Sequence, residues 1–366
     1  MARIVLLAPF FDPALAFQEW VVAKCLARAG HKVTVVTSMR AEADADKNAR
    51  LLAQFPGITV HRVKCLGRGH TLFPINGSRM RTLCAGQDAA IVNAPGHGYG
   101  YRALKMLPRS LKCVVMFGDL MDNRRKMHPL LKWWKDRWYR WLFERADKLT
   151  HNTAECLGIL REAGLGKHAG RIELAGLPYD EDFFFMDEAN AAPRAPDRQR
   201  VLTTITRTLA HKPFDQWLPP VFEFLRAHPD WRYCFAGMGE DSSAQQIRKL
   251  VAESGLTDRI DLLPMQDQAG MCRLYNAADM GLFPRATIGI QQAMATGLPV
   301  ILPQRETVTH LVQEGHNGFY YEGLENAAAV LAKAAATEWP ERRVLAEESR
   351  KWSGAGYTAQ LIKGLV

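Results

Sequence analysis

No stretch of the 366 residues approaches the roughly 18 consecutive apolar positions that a membrane-spanning helix needs, which argues against an integral helical membrane protein. A secretory leader is not evident either. Met1-Ala2-Arg3 runs directly into Ile4-Val5-Leu6-Leu7-Ala8, a short apolar run without a convincing cleavage region, so it reads as a first buried strand and the protein is expected to be cytoplasmic. Cysteine is sparse: seven residues, scattered and without a C-x-x-C pair, which argues against disulfide frameworks and zinc sites. Short-period repeats are absent, so a solenoid is not expected. What is present is 48% hydrophobic and 23% charged residues, a globular balance in a chain long enough for two domains.

The net charge of +9 is unevenly spread. Residues 1–185 hold 28 Lys and Arg against 17 Asp and Glu, whereas the remainder holds 19 against 21. A basic first half points to a polyanionic or membrane-surface partner. The charge concentrates between Arg124 and Arg145, where eight Lys and Arg and two acids interleave with four tryptophans. Arg124, Arg125, Lys126, Lys132, Trp133, Trp134, Lys135 and Arg137 are the expected face for an anionic headgroup layer. The tryptophan spacing also requires some rings to face the core. Nucleic-acid binding is not expected, because no recognised motif accompanies the charge.

Strand-like and helix-like segments alternate through the first half, with apolar runs at Arg3–Ala8, Lys32–Thr37, Ile58–Val63, Ala89–Asn93, Cys113–Phe117 and Lys148–His151. A polar, proline-bearing stretch follows over 187–200, and the alternation then restarts. The expected fold is α/β, two Rossmann-like doubly wound parallel-sheet domains: residues 1–186, a linker over 187–200, a second domain over 201–345, and a closing helix over 346–366.

Three loops of the second half follow strands and carry residues suited to phosphate. Arg207 and Lys212 stand five positions apart after V-L-T-T-I-T; a guanidinium fork and an ammonium could together neutralise a diphosphate, or both could be solvated loop charges. Gly237-Met238-Gly239 follows R-Y-C-F-A and permits close backbone approach, or is a plain turn. The third loop, Arg285-Ala286-Thr287-Ile288-Gly289, leads into a small-residue helix whose amides favour an anion.

Together these segments resemble the glycosyltransferases of the GT-B fold, especially the family-4 group. The resemblance is carried by P-F-F-D-P and L-A-R-A-G-H-K-V-T-V-V-T near the start, by Arg207 and Lys212, by D-R-I-D-L-L-P with L-Y-N-A-A-D, by Q-A-M-A-T-G-L-P-V-I and by E-G-H-N-G-F-Y-Y. It implies two domains facing a central cleft, with the last helix crossing back to the first domain. The implied activity is hexosyl transfer from a nucleoside-diphosphate sugar to a carbohydrate acceptor, expected to be lipid-linked, in surface polysaccharide, lipopolysaccharide or glycolipid synthesis. Peripheral placement at the inner face of the cytoplasmic membrane goes with that reading. No cofactor or metal is implied beyond the donor substrate.

By that resemblance Arg207, Lys212, Gly237, Arg285, Thr287, Ile288, Gly289 and Gln292 are donor-binding. Gln292 stands where the family commonly has a ribose-binding glutamate, and the loop is too short to present the other, sugar-facing one. The first loop also departs, having Leu15-Ala16-Phe17 before Gln18-Glu19 in place of a glycine pair. Asp119 and His97, each just after a strand, are the candidate catalytic residues: a carboxylate or imidazole near the acceptor hydroxyl could serve as base or orient the acceptor, and either could instead serve a turn. Rival readings are a GT-B nucleotide-sugar epimerase and a non-catalytic donor-binding scaffold.

Overall fold

The computed structural model describes every residue except 40, 41, 43, 68–71, 94–97, 118–123, 125, 191–197, 209–213 and 306, and the side chains of 117, 190 and 215. Contacts divide the chain into two units, Met1–Pro178 with Gly354–Val366, and Tyr179–Ser353.

In the first unit the strands are β1 (Arg3–Leu7), β2 (Lys32–Ser38), β3 (Ile58–Val63), a short antiparallel pair β4 (Cys65–Leu66) and β5 (Phe73–Pro74), then β6 (Ala89–Asn93), β7 (Lys112–Phe117), β8 (Lys148–His151) and β9 (Ile172–Leu174). Seven of them form one parallel sheet in the order β3-β2-β1-β6-β7-β8-β9. Successive side chains point to opposite faces, so the unbroken apolar runs serve two cores. Val5 and Leu7 join a cluster with Tyr99, Leu142 and Phe143, whereas Ile4 and Leu6 join Trp20, Leu26, Tyr357 and Leu361 on the other face.

The second unit repeats the plan with β10 (Arg200–Ile205), β11 (Trp231–Met238), β12 (Ile260–Pro264), β13 (Met280–Leu282), β14 (Val300–Pro303) and β15 (Gly318–Tyr321). Their parallel order is β12-β11-β10-β13-β14-β15. One core holds Leu202, Phe235 and Leu282 with Trp217, Leu218 and Leu225 of the helix Phe214–Ala227. The other holds Ile205, Phe283 and Leu302 with Tyr275, Ile290 and Ala293.

The boundaries expected at 186, 200 and 345 move. The chain leaves the first unit at Pro178, ahead of the polar stretch, because Tyr179 and Phe184 are buried in the second unit's core and the Tyr179 amide donates to the Trp352 carbonyl at 2.9 Å. The Asp187 amide then donates to Asn276 Oδ1 at 2.8 Å, so the start of the expected linker lies along the second unit. The single closing helix expected over 346–366 is two helices. Arg342–Ser349 belongs to the second unit, where Trp352 is buried, and only Gly354–Ile362 belongs to the first. Nearer the start, a short 3-10 turn over Pro13–Leu15 ends at Ala16 with φ +50 and leads into the helix Gln18–Arg28.

Candidate functional site

Each sheet has a point where its strand order reverses, at β1 in the first unit and β10 in the second, and the crevice beyond the strand ends at such a point is where open α/β sheets collect ligands. In the second unit the strands β11, β10 and β13 are neighbours and parallel, so the loops that follow them emerge side by side. These are the three loops singled out by sequence.

Two of them are stitched together. The Thr208 amide donates to the Gly237 carbonyl at 3.1 Å, the Gly239 amide donates to Thr208 Oγ1 at 3.0 Å, and that hydroxyl donates to Asp241 Oδ2 at 3.2 Å. Asp241 also accepts from the Ala244 amide at 2.9 Å and so caps the helix Ser242–Ser254. Gly237 has φ +114, and a Cβ there would lie 2.2 Å from the Thr206 carbonyl oxygen. Its glycine is therefore required by the approach of one loop backbone to the next. Arg207 projects from this junction as an exposed side chain. Lys212 lies outside the described residues.

After β13, Arg285 is exposed, Thr287 and Ile288 are half-buried and Gly289 is buried. Thr287 Oγ1 accepts from the Gly289 amide at 2.9 Å, and the Thr287 carbonyl accepts from the Ile290 amide. The turn thus uses two of the amides expected for an anion, and the helix that follows, Gly289–Met294, is short. Its glutamines are the polar feature that sequence only half anticipated. Gln292 is half-buried and Gln291 is 3% exposed, and the carbonyl oxygen Oε1 of each is enclosed without a hydrogen-bond donor among the described residues. An enclosed acceptor without a partner is costly, and a hydroxyl donor would satisfy it. Nearby in sequence, Tyr275 has a hydroxyl without a partner among the described residues, which a Cβ on Gly289 would approach to 3.0 Å. The Q-Q pair was the available signal for Gln291; nothing in the sequence marked Tyr275.

In the first unit, Asp119 and His97 lie outside the described residues. The reversal point instead presents Glu19, at the start of the helix Gln18–Arg28 after β1, beside Asn93, the last residue of β6. Asn93 Nδ2 donates to Glu19 Oε1, and Gln18 Nε2 donates to Asn93 Oδ1 at 3.4 Å. Burial, more than these bonds offset, pushes the Glu19 carboxyl up from 4.5 to about 7. A carboxyl poised there can hold or release a proton near neutral pH. The departure from a glycine pair at Leu15-Ala16-Phe17, just before Gln18-Glu19, is the only sequence signal near it.

The basic, tryptophan-rich segment is partly redistributed. In the helix Pro129–Arg145 the later residues Trp138, Tyr139, Leu142 and Phe143 are buried, whereas Leu130, Leu131, Trp133 and Trp134 are exposed, Leu130 to 73% and Trp133 to 61%. Lys126 and Arg137 are exposed, Lys132 and Lys135 are half-buried, and Arg137 lies over the Trp133 ring with Cζ 5.3 Å from its centroid. Lys132 reaches Glu162 at 3.4 Å. Arg124 does not belong to an exposed face: it is 3% exposed, Nη2 meets Asp136 Oδ2 at 3.0 Å and Nε meets Glu162 at 3.4 Å. Two carboxylates from later helices draw it inward. Arg125 lies outside the described residues. Among the described residues no helix is long and apolar enough to cross a membrane, and no three His, Cys, Asp or Glu side chains gather as a metal ion would need.

Comparison with known proteins accords with this geometry. Residues 20–175 match the family model described as glycosyl transferase 4-like domain, and residues 185–352 match that of glycosyl transferases group 1. No curated protein matches the chain. Among solved structures, sucrose-phosphate synthase from Thermosynechococcus elongatus is similar at 18% identity over 100% of this chain and 95% of its own, with a TM-score of 0.62. Anabaena HepE in complex with UDP gives 14%, 100% and 99%, with a TM-score of 0.69. The lipopolysaccharide outer core galactosyltransferase WaaB gives 12%, 99% and 98%, with a TM-score of 0.65. These likenesses establish the fold, the two family models account for most of the chain, and the protein therefore belongs to the glycosyltransferases as a family-4-like enzyme of the GT-B fold.

Proposed function

We propose that the enzyme moves a hexosyl group from a nucleoside-diphosphate sugar to a carbohydrate acceptor carried on a lipid, in surface polysaccharide or lipopolysaccharide synthesis. The observation that carries the donor half is the bundling of three loops at the reversal point of the second sheet, with the enclosed glutamine acceptors after the third. HepE's complex with UDP supports a nucleoside diphosphate as leaving group, and the likeness to WaaB supports a lipopolysaccharide setting.

In this reading the donor diphosphate lies across the loops after β10 and β13. Arg207 and Lys212 offset the negative charge that builds on it as the sugar departs, an effect that strengthens where water is scarce. Gln292, with Gln291 beside it, accepts from the ribose hydroxyls. Arg285, Thr287, Ile288 and Gly289 shape the wall, and Gly237 lets the neighbouring loop approach. The first unit binds the acceptor. Asp119 and His97 remain proposed there for orienting the acceptor or taking its proton, and Glu19 joins them as the carboxyl whose proton affinity suits a base near neutral pH. The protein works in the cytoplasm at the inner membrane face, with Trp133, Trp134, Leu130 and Leu131 entering the headgroup layer and Lys126 and Arg137 meeting anionic lipid.

The test is a screen of nucleotide sugars against the purified chain, first for thermal stabilisation and then for release of free nucleoside diphosphate in the presence of a lipid extract. Stabilisation followed by release supports transfer. Stabilisation without release, across extracts that supply active acceptors to related enzymes, would make the protein a donor-binding scaffold.

A further inference from the structure

A surface cavity of about 490 Å³ opens in the first unit at the start of the helix Gly77–Cys84, lined by Ile75, Asn76, Gly77, Ser78, Arg81 and Arg102. A second cavity of about 770 Å³ shares Ile75 and Asn76 with it and adds Arg62, Lys64 and Arg79. Glu42 is the one carboxylate among the described lining residues, and it is already paired with Arg62. Among the described residues Lys64, Arg79, Arg81 and Arg102 have no carboxylate partner.

Arg102 is held in place without a counter-charge among the described residues. Its Cζ lies 5.4 Å from the Phe73 ring centroid, and its Nη2 packs so close to the helix start that a Cβ on residue 77 would stand 3.1 Å from it. Glycine at 77 therefore makes room for the guanidinium. The Nε of Arg102 is enclosed and has no acceptor among the described residues. Asn76 Oδ1 caps the helix by accepting from the Arg79 amide at 3.0 Å, leaving the positive end of the helix dipole beside the two arginines. The Ser78 hydroxyl is already spent on Asn76 Oδ1 at 3.0 Å, so the cations carry the site: one held guanidinium at Arg102, with the exposed Arg81 beside it, in a concavity short of carboxylates suits a multiply charged oxyanion.

We propose that this cavity is a phosphate site for the acceptor, so that the substrate on the first unit carries a phosphate or diphosphate. That identification of the ligand as acceptor rests on the transferase reading; the anion site does not. The phosphate can come from a soluble sugar phosphate or from a lipid-linked diphosphate, and the same chemistry binds either.

Inorganic pyrophosphate is titrated calorimetrically into the full chain carrying Arg207→Ala with Lys212→Ala, which removes both cations proposed for the donor diphosphate and so separates this site from that one. Arg81→Gln and Arg102→Gln should each weaken binding at least tenfold. Arg81 is exposed, so its replacement leaves folding intact and keeps the test valid if the Arg102 variant misfolds. Competition by a sugar phosphate in solution, or by a polyprenyl diphosphate in micelles, identifies the source. Absence of pyrophosphate binding, affinity unchanged by Arg81→Gln, or failure of both competitors overturns the proposal while nucleotide release from the donor still reports the transferase. Arginine-dependent pyrophosphate binding without nucleotide release from any donor sinks the transferase reading and with it the acceptor assignment.

Discussion

Replacing Glu19 with Gln removes one titratable proton and keeps the oxygen that Asn93 uses. The carboxyl rises from 4.5 to about 7 on folding because burial penalises its ionised form. At roughly 1.4 kcal/mol per pKa unit, ionising it costs the fold about 3 kcal/mol. The folded protein binds the proton more tightly than the unfolded chain, so this contribution is fully present below 4.5 and is lost as pH rises through 7. Relative to wild type, Glu19→Gln should therefore be equally stable at pH 4 and more stable by about 3 kcal/mol at pH 8.5. At about 2–4 °C per kcal/mol for a unit of this size, the melting transition of the first unit should rise by roughly 6–12 °C at the higher pH. Scanning calorimetry of both proteins at the two pH values measures it. A difference that does not grow with pH, or a variant less stable than wild type at pH 8.5, would refute a buried, proton-holding carboxyl. If Glu19 is also the base, the same variant loses transfer and the rise in rate centred near pH 7, while donor binding in the second unit stays as it was.

Arg207→Ala should weaken donor binding by about 1.5–3 kcal/mol, the worth of a hydrogen bond to a charged group, or roughly 10- to 150-fold in calorimetric Kd; unchanged affinity would remove Arg207 from the diphosphate. Gly237→Ala places a Cβ 2.2 Å from a carbonyl oxygen at φ +114, so the loops after β10 and β11 must part. A cost of about 1–3 kcal/mol should appear as a lower melting temperature of the second unit together with weaker donor binding, and a variant that melts normally would contradict the stitched geometry. Trp133→Ala should leave the fold unchanged, since the ring is largely exposed, yet reduce sedimentation with anionic vesicles several-fold; binding to neutral vesicles should be weak throughout, and added salt should weaken the anionic case. Equal sedimentation by both proteins would remove this helix from the membrane contact.

The alternation of buried runs made both parallel sheets legible, because a strand covered on two faces must be apolar at every position. Leu6, Val35 and Ile301 needed no context to be placed inside. The three loops proposed for the donor are legible as strand endings, and their adjacency follows from the pairing of β11, β10 and β13. What escaped the sequence depended on contacts far along the chain. Glu19 owes its raised proton affinity to enclosure beside Asn93, 74 positions away, and a glutamate at a helix start looks the same whether buried or solvated. Arg124 reads as one more cation in a basic run until Asp136 and Glu162 fold against it. The boundary at Pro178 was hidden for a similar reason: polar residues can solvate the outside of a domain as readily as they can join two.

The helix Gly354–Ile362 has a consequence for dissecting the protein. Its Tyr357 and Leu361 complete the core beneath Trp20, and Lys148 Nζ donates to the Gln360 carbonyl at 2.5 Å, so the last residues furnish a wall of the unit that the first residues begin. The two halves are unequal under the scissors. Residues 179–353 can be excised as one continuous piece, whereas a fragment ending at 178 would expose an oily trough that only the distant tail can cover. A soluble first unit would need that tail spliced directly after Pro178 through a short flexible tether.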